Sequence, residues 1–290
     1  MRAGRYIDRT NHRQFDPAWQ GDVFVWDIDK TYLDTRFSSL RGLLAIPFEF
    51  AIDKRAVFGA VPVLRALRLG PQPTRPRFSP LYFVSGSPPN LRTVVEKKMV
   101  LDGVQADGVT FKDQFGLLRA GRPRAIKEQV GYKLAALLML RAELPAGARF
   151  SLFGDDVESD MEAFLLFGRV CAGLRGAALR EVLRHHGTDW PEVEQAVTLS
   201  SSMATETDPV ARVFIHGVTG KLLRRTNLDS RVVATESFLQ TALILRDAGQ
   251  VDDGCPARVA AELRRRNITP AAIKGFVDDA VTRLGASGGF

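Results

Sequence analysis

The run Asp22-Val23-Phe24-Val25-Trp26-Asp27-Ile28-Asp29 decides how this chain is read. After Asp22 come four apolar residues, β-branched and aromatic in alternation, the pattern of a short strand buried on both faces. Acidic residues follow at once. With one residue between them, Asp27 and Asp29 leave an extended chain on the same side. A carboxylate in that position can attack phosphorus directly, giving an aspartyl-phosphate and splitting one hard step into two easier ones. A second carboxyl two residues on can protonate the leaving oxygen and later deprotonate water. Loop solvation or helix capping would also explain an isolated pair of this kind, so the rest of the chain has to carry the argument.

Working outward, further buried-strand patterns lie at 81–84, 149–153 and 213–215, with a weaker one at 108–111. Helical patterns occupy 91–101, 132–144 and 161–185, the last with a break near Gly173. Strands alternating with helices predict an α/β fold, a mostly parallel sheet with helices on both faces. Such sheets bind ligands at the carboxyl ends of their strands. The second strand ends in Val84-Ser85-Gly86, where a hydroxyl beside a glycine can meet phosphoryl oxygens. Lys133 opens the 132–144 helix and can neutralise charge on nucleophile and phosphoryl group, with Lys127 and Lys112 as competitors for that role. The next strand ends in Gly154-Asp155-Asp156-Val157-Glu158-Ser159-Asp160. Magnesium takes hard oxygen ligands in an octahedron, and a carboxylate at a strand end plus one at the following helix can supply two of them. The doublets Asp252-Asp253 and Asp278-Asp279 have no buried strand before them. Four strand ends, in order, thus carry the residue types that metal-assisted phosphoryl transfer uses.

In these four segments the chain resembles the haloacid-dehalogenase superfamily, over roughly residues 21–217. The resemblance implies a Rossmann-like sheet with a small cap or none, Asp27 as nucleophile and Asp29 as general acid/base. It implies that Ser85, with Gly86, holds the phosphoryl group and that Lys133 stabilises charge. Magnesium (Mg2+) would be bound by Asp27, the main-chain carbonyl of Asp29, Asp155 and Asp160, with Asp156 as the alternative to Asp160. Within the superfamily, Phe83-Val-Ser-Gly-Ser-Pro-Pro89 and the fourth segment are similar to the phosphatidate phosphatase domain of fungal actin-patch proteins, and Asp102-Gly-Val and Phe111-Lys-Asp113 resemble its bacterial relatives. Lys30 departs from that pattern, which has a third acidic residue there. The function implied is phosphomonoester hydrolysis, on a small-molecule or lipid phosphate; the alternative is a catalytically silent phosphate- or lipid-binding module on the same fold.

Composition sets the outer bounds. The 290 residues are 45% hydrophobic and 25% charged, ordinary for a globular chain. A net charge of +7 and a pI near 9.7 favour anionic partners, whether phosphate esters, nucleic acid or acidic lipid. The arginines are scattered, so no specific nucleic-acid tail is expected. Cys171 and Cys255 stand alone, without a disulfide framework or zinc spacing. The polar first 20 residues lack a signal-peptide core, and the 40–52 run is broken by Arg41, Pro47 and Glu49, so no transmembrane segment and a cytoplasmic location are the expectations. Peripheral membrane contact stays open.

The expected layout is a loosely ordered arm over 1–20, a catalytic domain over 21–220 and a helical extension over 221–290 covering the core. Residues 35–60, with Phe37, Phe48, Phe50 and Phe58, read as a small cap or as helices on the sheet. A helical and polar excursion is expected over 161–208, its Ser- and Thr-rich part at 187–208. Gly217-Val-Thr-Gly-Lys221 is not a phosphate loop, since Leu222 stands where Ser or Thr should bind the metal.

Overall fold

The computed structural model describes residues 6–34, 54–205, 207–225 and 227–289. Most of the expected cap, with Phe37, Phe48 and Phe50, lies outside the described residues. Seven strands form one sheet: β1 (Ile7–Arg9), β2 (Gln20–Asp27), β3 (Leu81–Ser85), β4 (Gly108–Lys112), β5 (Gly147–Asp155), β6 (Val210–His216) and β7 (Val232–Thr235). Their order is β1-β4-β3-β2-β5-β6-β7, and every pairing is parallel except β1 with β4.

The alternation inside β2 explains its central place. Val23 and Val25 point into one apolar layer, Phe24 and Trp26 into the other, as successive residues of a strand must. On the Trp26 side the rings of Trp26, Phe153 and Phe214 stack across three neighbouring strands, with centroids 4.4 and 4.7 Å apart, and Phe238 closes over Trp26 at 5.4 Å. Each such pair adds about 0.5–1.5 kcal/mol beyond the area it buries.

Helices cover both faces. Described helices, in chain order, are α1 (Ala60–Leu69), α2 (Arg92–Leu101), α3 (Gln114–Arg119), α4 (Val130–Arg141), α5 (Asp160–Cys171), α6 (Gly176–His185), α7 (Trp190–Ser201), α8 (Phe238–Asp247), α9 (Cys255–Arg265) and α10 (Pro270–Leu284). The core around Trp26 is closed by α1, α2, α8, α9 and α10, and the core around Val23 and Val25 by α4 to α7. This is a Rossmann-like α/β architecture. The chain builds β2, β3 and β4 outward in one direction, then crosses back to lay β5 on the other side of β2. The carboxyl ends of β2 and β5 therefore flank the point where strand order reverses, the crevice in which such sheets bind ligands.

Three expectations change. The arm expected loosely ordered over 1–20 contains β1, which pairs with β4, and its continuation is tied down by Thr10 N–H to Val109 O (3.0 Å), His12 N–H to Asp107 O (2.8 Å) and an Arg9–Glu143 ion pair. The Ser- and Thr-rich stretch 187–208 is not an excursion from the core, because α7 buries Val193, Ala196 and Val197 against it. Residues after 220 are not purely helical either, since β7 forms the sheet's edge before α8 begins. The break near Gly173 is present between α5 and α6, and α10 starts on the Thr269 cap, whose hydroxyl accepts from Ala272 N–H, and ends at Gly285 (φ 68°). No helix among the described residues is long and apolar enough to cross a membrane.

Candidate active site

Register places the four predicted segments together. Asp27 of β2 lies beside Val84, one residue before Ser85, and Trp26 lies beside Phe153, so the ends of β2, β3 and β5 open on one crevice. Asp27 and Asp155, at the two strand ends, and Asp160, the first residue of α5, are each at most 1% exposed. One carboxylate oxygen from each lies within 4.8 Å of the others, a group able to hold a metal ion.

Lys133, in the first turn of α4, projects into this group. Its fully buried ammonium donates to Asp27 Oδ1 (2.9 Å), Glu158 Oε2 (2.8 Å) and Asp160 Oδ1. All three of its protons are thereby used. The competing lysines are elsewhere: Lys127 is exposed, and Lys112 is spent on the main-chain carbonyls of Ala125 and Glu128.

Asp160 reaches the cluster because Gly154 has no side chain. A Cβ at Gly154 would stand 2.4 Å from Asp160 Oδ2 and 2.5 Å from its Cβ. Asp160 Oδ2 also accepts from Asp155 N–H at 3.1 Å, and Asp155 Oδ1 accepts from the N–H groups of Val157 (2.6 Å) and Glu158 (3.0 Å). Asp156 points away, accepting from Thr219 N–H (2.8 Å) and Thr219 Oγ1 (2.6 Å). Between the two expected alternatives, Asp160 is the carboxylate that joins the cluster.

Four carboxylates surround one ammonium here, and the imbalance shows in their affinities for protons. Burial, against the pull of Lys133, holds Asp27 well above the usual carboxylate range. Burial and the neighbouring Asp160 and Glu158 push Asp155 up to about 7. Burial alone would lower Lys133, but Asp160, Asp27 and Glu158 together raise it well above an ordinary lysine. Asp27 Oδ2 and Asp155 Oδ2 are buried with no hydrogen-bond partner. Unpaired buried carboxylate oxygens are costly, and a divalent cation bound between them would satisfy both and reduce the charge excess. The residues present therefore fit a metal ion of the hard, oxygen-binding kind.

Asp29 is half-buried and faces the neighbouring strand end. Its Oδ2 accepts from Ser85 Oγ and Ser87 Oγ, both at 2.8 Å, and Ser87 N–H donates to Ser85 Oγ at 3.0 Å. The serines are fixed from behind, since Tyr132 OH donates to Ser85 O (2.7 Å) and Gln114 Nε2 to Gly86 O (2.6 Å). Lys30 follows in a left-handed conformation (φ 62°) with its N–H on Leu33 O. Beside it a cleft of about 340 Å³ opens between Lys30, Asp34, Val57, Phe58, His216 and Val218. Burial pushes His216 down to about 4, so its imidazole is neutral near pH 7, and its Nδ1 has no partner.

Sequence reading missed Glu158, Ser87, Tyr132 and His216. Glu158 sits three residues from Asp155 in a stretch already marked as acidic, and Ser87 two residues from Ser85; their same-side spacing was a usable signal. Nothing local to Tyr132 or His216 announces their roles. Compared with models of known protein families, with curated proteins and with solved structures, the chain gives no match.

Proposed function

We propose that this chain is a magnesium-dependent phosphohydrolase of the haloacid-dehalogenase type, cleaving a phosphate monoester through a phosphorylated Asp27. One observation carries the reading. Asp27, Asp155 and Asp160 converge within 4.8 Å around the Lys133 ammonium, and two of their buried oxygens are unpartnered. A structural salt-bridge network would have no reason to leave those two oxygens unsatisfied.

In this reading Asp27 attacks phosphorus while Asp29 gives its proton to the departing alcohol oxygen. Asp29 then takes a proton from water, the water oxygen attacks the aspartyl-phosphate, and inorganic phosphate leaves with Asp27 restored. Asp27, Asp155 and Asp160, with the main-chain carbonyl of Asp29, would hold magnesium, which when bound supplies positive charge against the phosphoryl oxygens. Lys133 orients Asp27 through its hydrogen bond and favours its charged form against the effect of burial. Ser85 and Ser87 now donate to Asp29, and in this reading the same hydroxyls would turn to the phosphoryl oxygens. Phosphate would enter from the half-buried side of Asp29 and Ser87, because Asp27 and Ser85 are closed to solvent. The alcohol portion would lie in the cleft lined by Val57, Phe58 and Val218, which suits an ester with an apolar part, phosphatidate among the candidates.

The test is phosphate release from an aryl phosphate, nucleotides, sugar phosphates and phosphatidate, by wild type and Asp27→Asn, with magnesium and with EDTA. Magnesium-dependent turnover that disappears in Asp27→Asn is expected. Turnover surviving in Asp27→Asn removes Asp27 as nucleophile; phosphate binding without any turnover by wild type moves the assignment to a silent binding module.

A further inference from the structure

At the opposite end of the sheet lies a recess that this chemistry does not use. It is a cavity of about 410 Å³ among Arg13, Trp19, Asp22, Arg77, Arg149 and Gln250, within the size range of small-ligand sites. β2 runs from its floor, at Gln20 and Gly21, to Asp27. At ~3.3 Å per residue the recess and the acidic cluster are roughly 23 Å apart.

Two of its walls are held by packing. The indole of Trp19 lies over Gly21, where a Cβ would stand 2.9 Å from the ring, and packs against Phe15 with centroids 4.9 Å apart. The stem of Arg77 runs along Gly70, where a Cβ would stand 3.1 Å from Arg77 Cδ, and its N–H bonds Leu69 O at 2.9 Å.

The polar groups are unbalanced. Three guanidiniums line the recess against one carboxylate, Asp22, which pairs with Arg149 at 2.9 Å. Arg13 donates to Phe78 O (2.6 Å) and, at 3.4 Å, to Asp107. Arg77 has no ion-pair or hydrogen-bond partner for its guanidinium among the described residues, and it is exposed. Gln250 Oε1 is buried and has no donor. So the recess offers a free anion-binding fork, an aromatic wall and an orphan acceptor. A phosphate suits the fork, a flat heterocycle suits the indole, and an amino or hydroxyl group suits the acceptor, whose unsatisfied burial is costly.

We propose that this recess is a nucleotide-binding site, separate from the acidic cluster, with the phosphate on Arg77 and Arg149, the base against Trp19 and a base or ribose donor on Gln250 Oε1. Among the described residues its one carboxylate, Asp22, is already paired with Arg149, and the role assigned to the recess is binding.

Calorimetric titration of the whole chain in EDTA tests this, using AMP, ADP, ATP, GTP, inorganic phosphate and adenosine. At least one nucleotide should saturate with Kd below about 1 mM, tighter than phosphate or adenosine alone. Arg77→Glu, whose side chain is exposed and whose melting temperature should match wild type, should weaken it about tenfold or more. Trp19→Leu should weaken the nucleotide but not phosphate. Asp27→Asn should bind as wild type does. No saturable binding up to about 5 mM, or equal affinity in Arg77→Glu, overturns the site. Phosphate binding as tightly as every nucleotide overturns the nucleotide assignment. Loss of binding in Asp27→Asn places the nucleotide at the acidic cluster and also overturns it.

Discussion

Replacing Lys133 with Met keeps the length and most of the volume of the side chain and removes its charge. Lys133 is fully buried, and its ammonium is hydrogen-bonded to Asp27, Glu158 and Asp160. Taking one partner from a buried charge group leaves the others uncompensated, at a cost of about 3–5 kcal/mol. At ~2.1 cal/mol/K of unfolding entropy per residue, a chain of this length loses about 1.6 °C of Tm per kcal/mol, so the expected drop is about 5–8 °C. The carboxylates left behind can relieve their repulsion by taking up protons: the folded pKa values of Asp27 and Asp160, already raised by burial, rise further, and Glu158 loses the Lys133 contact that holds its own down. The folded variant therefore binds more protons than its unfolded chain over a wider range, and its stability falls more steeply as pH rises. The deficit against wild type should be largest near about pH 7.5 and shrink near about pH 5. Magnesium should stabilise both proteins, by about 2.7 kcal/mol at a hundredfold excess over each Kd, and narrow the deficit only as far as the variant, with one positive charge fewer, binds it more tightly. The assay is urea unfolding of both proteins at the two pH values, in EDTA and in magnesium, with the exposed Lys127→Met as control and expected within about 0.5 kcal/mol of wild type. A deficit under about 1 kcal/mol in EDTA near pH 7.5, or one that does not change with pH, refutes the claim that Lys133 holds these carboxylates together.

Two further outcomes follow from particular contacts. Gly154→Ala drives a methyl into the Cβ and carboxylate of Asp160, which is fully buried; urea unfolding should show a loss of about 1–3 kcal/mol, and magnesium titration a loss of affinity larger than the same change causes at Gly275, where nothing lies within 4 Å. Glu192, near Lys112 and sharing a hydrogen bond with Glu128, is pushed up to about 8 by burial. Its folded pKa lies above its unfolded value, so the stability it confers is present at low pH and is lost as pH rises from about 4.5 to 8. Glu192→Gln should flatten that decline, with a gain near about pH 9 of at most about 5 kcal/mol, read from urea midpoints at about pH 6 and 9.

What could be read from the sequence was what one element declares by itself. β2 announces itself because its two faces must both be apolar and its end must be acidic, and α10 because Thr269, Pro270 and Gly285 mark its ends. β1 could not be read this way. Three residues have too little period to register, and Ile7 is a strand residue only because β4 lies beside it with an open edge. α7 was hidden by composition: Ser, Thr and Glu dominate the stretch, yet Val193, Ala196 and Val197 hold the helical spacing that faces α4. β7 is short, and its pairing with β6 is a long-range fact. Within the site, Lys133 was recognised as a candidate among three lysines, and only tertiary contact separates it from Lys112, which is just as deeply buried but surrounded by main-chain carbonyls.

The choice between Asp156 and Asp160 is made by the turn that follows β5. Side chains of adjacent residues on an extended chain face opposite ways. By that rule Asp155 shares the side of Phe153 and Asp27 that of Val25, so it is the turn beginning at Asp156, not alternation, that gathers the cluster and sends Asp156 onto Thr219 of the neighbouring loop. An acidic doublet at a strand end is thus poorly suited to grip one ion from one side. A carboxylate five residues further on has had a turn in which to come back, and Asp160 returns as the first residue of α5, against the strand it left. That return needs an empty space beside the strand, which only a residue without Cβ provides. Gly154 stands there, one position before Asp155. The informative unit is therefore Gly154, Asp155 and Asp160 together, and the glycine is what tells the spaced carboxylate from its more conspicuous neighbour.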